Sequence, residues 1–193
     1  MSLATWQETL INTNVDGAAL TNSTTATSIL GGAGTGASQA KITLPANFFY
    51  VGRMLRIRAA GRISTLVTSP GTLTLDVRLG AVIAANGGAM SLNIVAKTNV
   101  PWDLEWILTC RAIGSGTVSN LMHQGKWASE AVIGAGLPTV GGAGVHMLPN
   151  AAPAVGTGFD STAAQTVDLF GAWSIANAAN SIQIHQYALE AMN

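Results

Sequence analysis

Apolar and polar residues alternate in several separate stretches of the chain, which is the period of half-buried strands and not the roughly 3.6-residue period of helices. The longest such stretch puts Leu55, Ile57, Ala59, Gly61 and Ile63 on one face and Arg56, Arg58, Ala60 and Arg62 on the other. Past Ser69-Pro70-Gly71, a second sets Leu73, Leu75, Val77 and Leu79 inward and Thr74, Asp76 and Arg78 outward. The two are predicted to pair as a hairpin with Asp76 across from an arginine, a cross-strand pair contributing roughly 0.2–1 kcal/mol. Residues 81–85 read as a further short strand closed by Asn86-Gly87-Gly88, because Asn-Gly supplies the positive φ angles of a tight turn, and residues 90–96 follow as its partner.

Beyond Pro101, Trp102, Leu104, Trp106, Leu108 and Cys110 share a face opposite Asp103, Glu105, Thr109 and Arg111, which marks a core strand. Both indoles bury large apolar areas yet each N–H needs an acceptor, so positions near a sheet edge or a layer boundary are expected. Gly114-Ser115-Gly116 turns the chain into residues 117–128, with Leu121 and Trp127 at even spacing, and the last strands span 167–174 and 181–189. The fold class that follows is all-β, an antiparallel two-sheet β-sandwich of about eight short strands, jelly-roll-like in its long connections.

Two segments break the alternation. Residues 1–40 hold a turn candidate at Asp16-Gly17, a Thr/Ser run from Thr21 to Ser28 and a Gly/Ala stretch from Gly31 to Ala37, and read as an extended N-terminal arm ahead of a sandwich domain at 41–193. Residues 134–158 form a long Gly/Pro-rich loop, above the ~15 residues beyond which structureless loops become uncommon. Stretched at ~3.3 Å per residue it would reach about 80 Å, far enough to touch a neighbouring subunit.

Composition narrows the function classes. Only 9% of the 193 residues are charged, against 48% hydrophobic, and the formal net charge is +0. Soluble domains ordinarily carry about a quarter charged residues, so this surface is coated by uncharged polar groups or covered by neighbours, and association is favoured over isolation. The few Lys and Arg deny the chain a polyanion-binding footprint, which disfavours nucleic acid. All of them lie between Lys41 and Lys126, and Arg56, Arg58, Arg62 and Arg78 offer a cationic patch for an acidic partner, or simply a solvated sheet face. The mean hydropathy of +0.36 argues against disorder. No apolar run approaches the ~18 residues of a membrane span, and the first residues lack the basic start and apolar core of a secretory signal, so neither membrane nor export is expected.

A search for chemistry yields no enzyme. Gly32 to Ala37 matches a dinucleotide fingerprint on paper, but the chain leaves it through Ile42-Thr43-Leu44-Pro45 and not through a helix, and Gly141-Gly142-Ala143-Gly144 lacks the Lys-Ser/Thr of a phosphate cradle. His123, His146 and His185 are too far apart in sequence to read as a metal motif. Asp103 and Glu105 could form an acid/base pair only if brought together with a sugar, and solvated outer-face carboxylates are the plainer reading. Cys110, the single cysteine, sits in an apolar strand that makes it inert. The sequon Asn22-Ser23-Thr24 has no secretory context to give it meaning. No cofactor or metal is expected.

The run from Ile42 to Arg53, with Phe48-Phe49-Tyr50-Val51-Gly52-Arg53 leading into Leu55-Arg56-Ile57-Arg58, resembles small structural proteins of tailed bacteriophages, as do Thr72 to Arg78 and the ending Trp173-Ser174 with Asn180-Ser181-Ile182. The likeness covers most of residues 41–130 and 160–190. It implies a jelly-roll head decoration (cement) subunit or a fibre-type subunit, often trimeric, with no catalytic residues to carry over. The expectation is a homo-oligomer, a trimer, made in the host cytoplasm and bound to the major capsid protein on the virion surface, without nucleic acid, membrane or cofactor. Trp6, Leu10 and Ile11 would then anchor the arm by burying apolar area at ~25 cal/mol per Å², and Arg56, Arg58, Arg62 and Arg78 would face the partner. The alternative is a host-glycan-binding fibre or spike module in which Tyr50 or Trp127 stacks on sugars. A ring-forming tail-tube or connector component and a glycosidase using Asp103 and Glu105 remain as further alternatives.

Overall fold

The alternating stretches extend as strands because every second side chain is apolar and can leave water only by facing a second sheet. The computed structural model describes residues 6–13, 15–30, 41–131 and 144–192. Among them, the strands are β1 (Gln7–Asn12), β2 (Leu20–Thr21), β3 (Thr27–Ser28), β4 (Ile42–Leu44), β5 (Met54–Thr65), β6 (Thr72–Leu79), β7 (Val82–Ser91), β8 (Lys97–Ala112), β9 (Asn120–Ala128), β10 (Val145–Leu148), β11 (Gln165–Trp173) and β12 (Ser181–Met192). They form two antiparallel sheets packed face to face. One, sheet A, has the order β1-β12-β5-β8-β9-β10, with β2 also beside β12; the other, sheet B, has β3-β11-β6-β7, with β4 also beside β11. The expected all-β sandwich is therefore the fold.

Its core is the sum of the inward faces read from the sequence. Leu55, Ile57 and Ile63 of β5 and Leu104, Trp106 and Leu108 of β8 meet Leu73, Leu75 and Val77 of β6 and Leu169 of β11, all essentially without solvent contact. Trp102 and Trp127 stack with ring centroids 4.7 Å apart.

Three local expectations give way. The stretches at β5 and β6 do not pair: β5 lies between β12 and β8 in sheet A, and β6 between β11 and β7 in sheet B. Alternation states which face a strand buries, not which strand it bonds. The connection 66–71 crosses from one sheet to the other, letting both apolar faces meet across the core. Asp76 consequently bonds Arg78 on its own strand, Nε to Oδ1 at 2.7 Å, while Asp168 of β11 stands opposite Arg78 in the register.

Asn86-Gly87-Gly88 is not a turn but a bulge inside β7. Thr74 pairs with Ala89 and Asp76 with Asn86, so Leu75 faces two residues. The Asn86 carboxamide oxygen accepts the Gly88 N–H at 2.8 Å, and Gly88 sits at φ 77°, which a glycine adopts without a side-chain penalty. The tight turn lies instead at Gly80 and Ala81, where Leu79 pairs with Val82. Trp106, expected near a boundary, is in the central strand β8; its N–H finds an acceptor within the core, Nδ1 of His123 at 3.3 Å.

Ahead of residue 41, the described residues contribute strands to both sheets. In the described part, β1 runs antiparallel to β12, β2 caps its other end, and β3 pairs with β11. Leu20, Ile29 and Leu30 are core residues. An amphipathic stretch beside an open sheet edge satisfies its backbone there, so these residues are woven into the domain. The Gly/Ala stretch 31–40 lies outside the described residues.

Candidate functional site

The anticipated anchors and arginines do not gather in one place. Leu10 and Ile11 lie on β1 and pack against the protein's own core, while Trp6 is exposed. Arg56, Arg58 and Arg62 share the outer face of β5 in sheet A. Arg78 belongs to sheet B, bonded to Asp76, with its guanidinium carbon 3.9 Å from the Phe170 ring centroid. The four arginines thus form no common patch, because their strands occupy opposite layers. Two of the four, Arg56 and Arg78, are also ion-paired. Arg56 Nε lies 2.5 Å from Glu190 Oε2, and this hydrogen bond raises the arginine's pKa against the opposing effect of desolvation. Arg62 donates to the Asn99 carbonyl at 3.3 Å.

The long loop behaves similarly. Within its described part, residues 145–148 become β10 on β9, and the following segment lies along β7: the Asn150 N–H donates to the Gly87 carbonyl at 2.7 Å and its carboxamide to the Ala89 carbonyl at 2.6 Å. Residues 144–158 therefore fold onto their own sandwich, because β7 otherwise presents an unpaired backbone edge. Residues 132–143 lie outside the described residues.

The chemical candidates stay apart. Among the described residues no group of three His, Cys, Asp or Glu is placed to hold a metal ion. His123 and His146 are buried, and burial lowers the pKa of each. His185 faces Asp16, Nδ1 to Oδ1 at 2.9 Å. Cys110 is buried, its thiol pKa pushed up by desolvation. Asp103 and Glu105 share the outer face of β8, but Glu105 is engaged by Lys126 at 3.5 Å. Trp127, a candidate stacking platform, has no solvent contact; Tyr50 is exposed, beside Arg53 at 5.3 Å.

Two surfaces stand out that the sequence pattern did not single out. The first is one end of the sandwich, where the connections 66–71, 92–96 and 174–180 come together: the Thr68 N–H donates to the Ile94 carbonyl at 2.7 Å, and the Asn180 carboxamide ties Leu66 N and Pro70 O at 2.8 and 3.0 Å. Those three segments contain no charged residue and expose Val67, Ile94, Val95 and Ile175.

The second is an open groove of ≈ 390 Å³ on the outer face of sheet A, lined by Asn12, Thr13, Arg58, Ala60, Asp103, Gln186 and Ala188 among others. It forms where β12 bulges between Ile184 and Gln186, and where the register sets Ala60 opposite Gln186 and Asp103, and Ala188 opposite Arg58 and Asn12. Two alanines thus make its floor and longer polar side chains its rim. The only sequence signals were Arg58 and Asp103, each seen separately. Asn12 and Gln186 are distant in the chain and join them only through strand pairing.

These features define an all-β sandwich of two antiparallel sheets. The chain matches no protein-family model and no curated protein sequence. Among solved structures it is similar to the CBM2 module of the evolved Dit of Lactobacillus casei BL23 phage J-1, with 10% identity and a TM-score of 0.31 over 79% of this chain and 68% of that one. So little shared geometry implies nothing about what this chain binds.

Proposed function

We propose that the chain is a non-enzymatic structural subunit of a tailed-phage particle, a homo-oligomeric decoration protein that attaches to the outside of the head through the apolar connections at one end of its sandwich. The observation that carries this reading is that end: three adjoining connections without a single ionic side chain, exposing Val67, Ile94, Val95 and Ile175. Protein interfaces are depleted of charge at their centre, since burying an unpaired ion costs several kcal/mol, and an exposed apolar patch marks a contact site. The sequence resemblance of residues 41–130 and 160–190 to phage structural proteins supports the setting, and the low charge of the whole chain suits a subunit packed among others.

The test is attachment of the purified chain to phage heads, read by co-sedimentation and by cryo-electron microscopy. Wild type should bind saturably with the 66–71, 92–96 and 174–180 connections against the shell, and Val67→Asp with Val95→Lys should abolish binding without unfolding the protein. A particle map showing that end in solvent, or no copy of the chain on the head, would overturn the proposal. The fibre reading keeps Tyr50 as an exposed aromatic but loses Trp127 to the core.

A further inference from the structure

The distribution of partnered charge singles out the groove. Among the described residues, most charged side chains are committed: Lys41 to Asp168, Arg56 to Glu190, Arg78 to Asp76, Lys97 to Glu130 and Lys126 to Glu105 as ion pairs, and Asp16 to the His185 imidazole. Arg53, Arg62 and Asp160 are committed through hydrogen bonds. Glu8, Arg58, Asp103 and Arg111 remain, and two of these four, one of each sign, line the same groove without pairing to one another. Asn12 and Gln186 on the same rim are exposed and have no side-chain hydrogen bond within the protein. Four side chains with unused hydrogen-bonding capacity therefore surround a floor of two alanine methyl groups.

We propose that this groove binds a neutral polyhydroxylated ligand, a sugar unit of an oligosaccharide, through Asp103, Arg58, Gln186 and Asn12. The donor and acceptor inventory fits that class. A carboxylate only accepts, a guanidinium only donates, and a carboxamide does both, so hydroxyl groups, which do both, satisfy every member of the rim. A ligand with net charge meets its own sign at either Arg58 or Asp103, whereas a neutral one does not. The alanine floor suits the C–H face of a pyranose ring. A volume of ≈ 390 Å³ lies within the roughly 300–1,000 Å³ of small-ligand sites, and the groove is open, so a sugar chain can continue past it. A peptide strand is the poorer fit, because the floor strands β5 and β12 are hydrogen-bonded on both sides and the backbone edge lies beyond the rim, on the far side of β1. The site lies on a sheet face and not at the apolar end, so it holds whether the subunit sits on head or tail.

The experiment is titration calorimetry and array binding of the full-length chain with neutral hexose and N-acetylhexosamine oligosaccharides, alongside sulfated and uronic ones. Saturable binding of a neutral oligosaccharide is expected. Asp103→Asn and Arg58→Met should each weaken it roughly 10–100-fold, the loss of one hydrogen bond to a charged group, while Arg111→Ala, an unpaired cation elsewhere, should leave it unchanged. Circular dichroism melts of the variants should match wild type, since neither side chain has a partner to lose. Failure to bind any neutral oligosaccharide at millimolar concentration, preference for the anionic ones, or indifference to both substitutions would overturn the proposal. So would loss of head attachment in Asp103→Asn with no sugar bound, which would make the groove a protein contact. Head attachment that survives these substitutions while sugar binding is lost separates this site from the apolar end.

Discussion

Trp106 and His123 face each other on adjacent central strands, and the indole N–H donates to the histidine Nδ1 at 3.3 Å. The pair is buried in the core of sheet A, its rings 5.6 Å apart and edge to face. Only neutral imidazole can accept that bond, and protonation would turn Nδ1 into a second donor aimed at a donor.

Acid should therefore destabilise the fold. Burial lowers the pKa of His123 and His146 in the native state, so below the unfolded-state value of about 6.5 the unfolded chain binds more protons. Stability is at its full value above about pH 6.5 and falls as the pH drops below it, each histidine withdrawing up to about 1.4 kcal/mol per pH unit. Urea denaturation at pH 7.5 and 5.0 should show this loss, and His123→Gln should flatten the slope.

Deleting residues 1–40 should unfold or strongly weaken the domain. The deletion strips β1 and β2 from β12 and β3 from β11, and removes Leu20, Ile29 and Leu30 from the core at roughly 1.5–3 kcal/mol each. A thermal melt of the truncated chain at or near the wild-type midpoint would refute this.

Gly61→Ala should be among the most damaging single substitutions. A Cβ there would strike the Gln183 carbonyl and press on the backbone at Ile184, where β12 bulges. Backbone cannot yield as a side chain tip does, and a loss of about 3 kcal/mol or more, or insoluble expression, is expected.

Arg56→Met should cost more than Glu190→Gln. The glutamate is the more buried partner, with side-chain exposures of 22% for Arg56 and 9% for Glu190. Removing the arginine leaves a buried carboxylate unpaired, at about 1–3 kcal/mol given the partial solvent contact, whereas the amide still accepts from Arg56. Chemical denaturation of the two variants, compared at pH 7, checks the order.

What the sequence made legible follows from what side-chain period encodes. The inward faces of β5, β6 and β8 could be listed from alternation alone, and nearly every residue so assigned is buried. Partnership could not: β5 and β6 alternate as hairpin strands would, yet the six residues between them pass from one sheet to the other at the end of the sandwich. Asn86-Gly87 carries a hairpin signal, but the neighbouring Gly80 offers the same backbone freedom at the end of β6, and two register shifts along β7 absorb the surplus. The groove was illegible for a related reason. Its floor and rim come from β1, β5, β8 and β12, which span most of the chain, and alanines at positions 60 and 188 announce nothing until they stand side by side.

The segment around Asn150 bears on what can pair with the flank of β7. The Gly87 and Ala89 carbonyls already accept from Asn150, so a ladder of added backbone along β7 is interrupted at its bulge and cannot run the length of the strand.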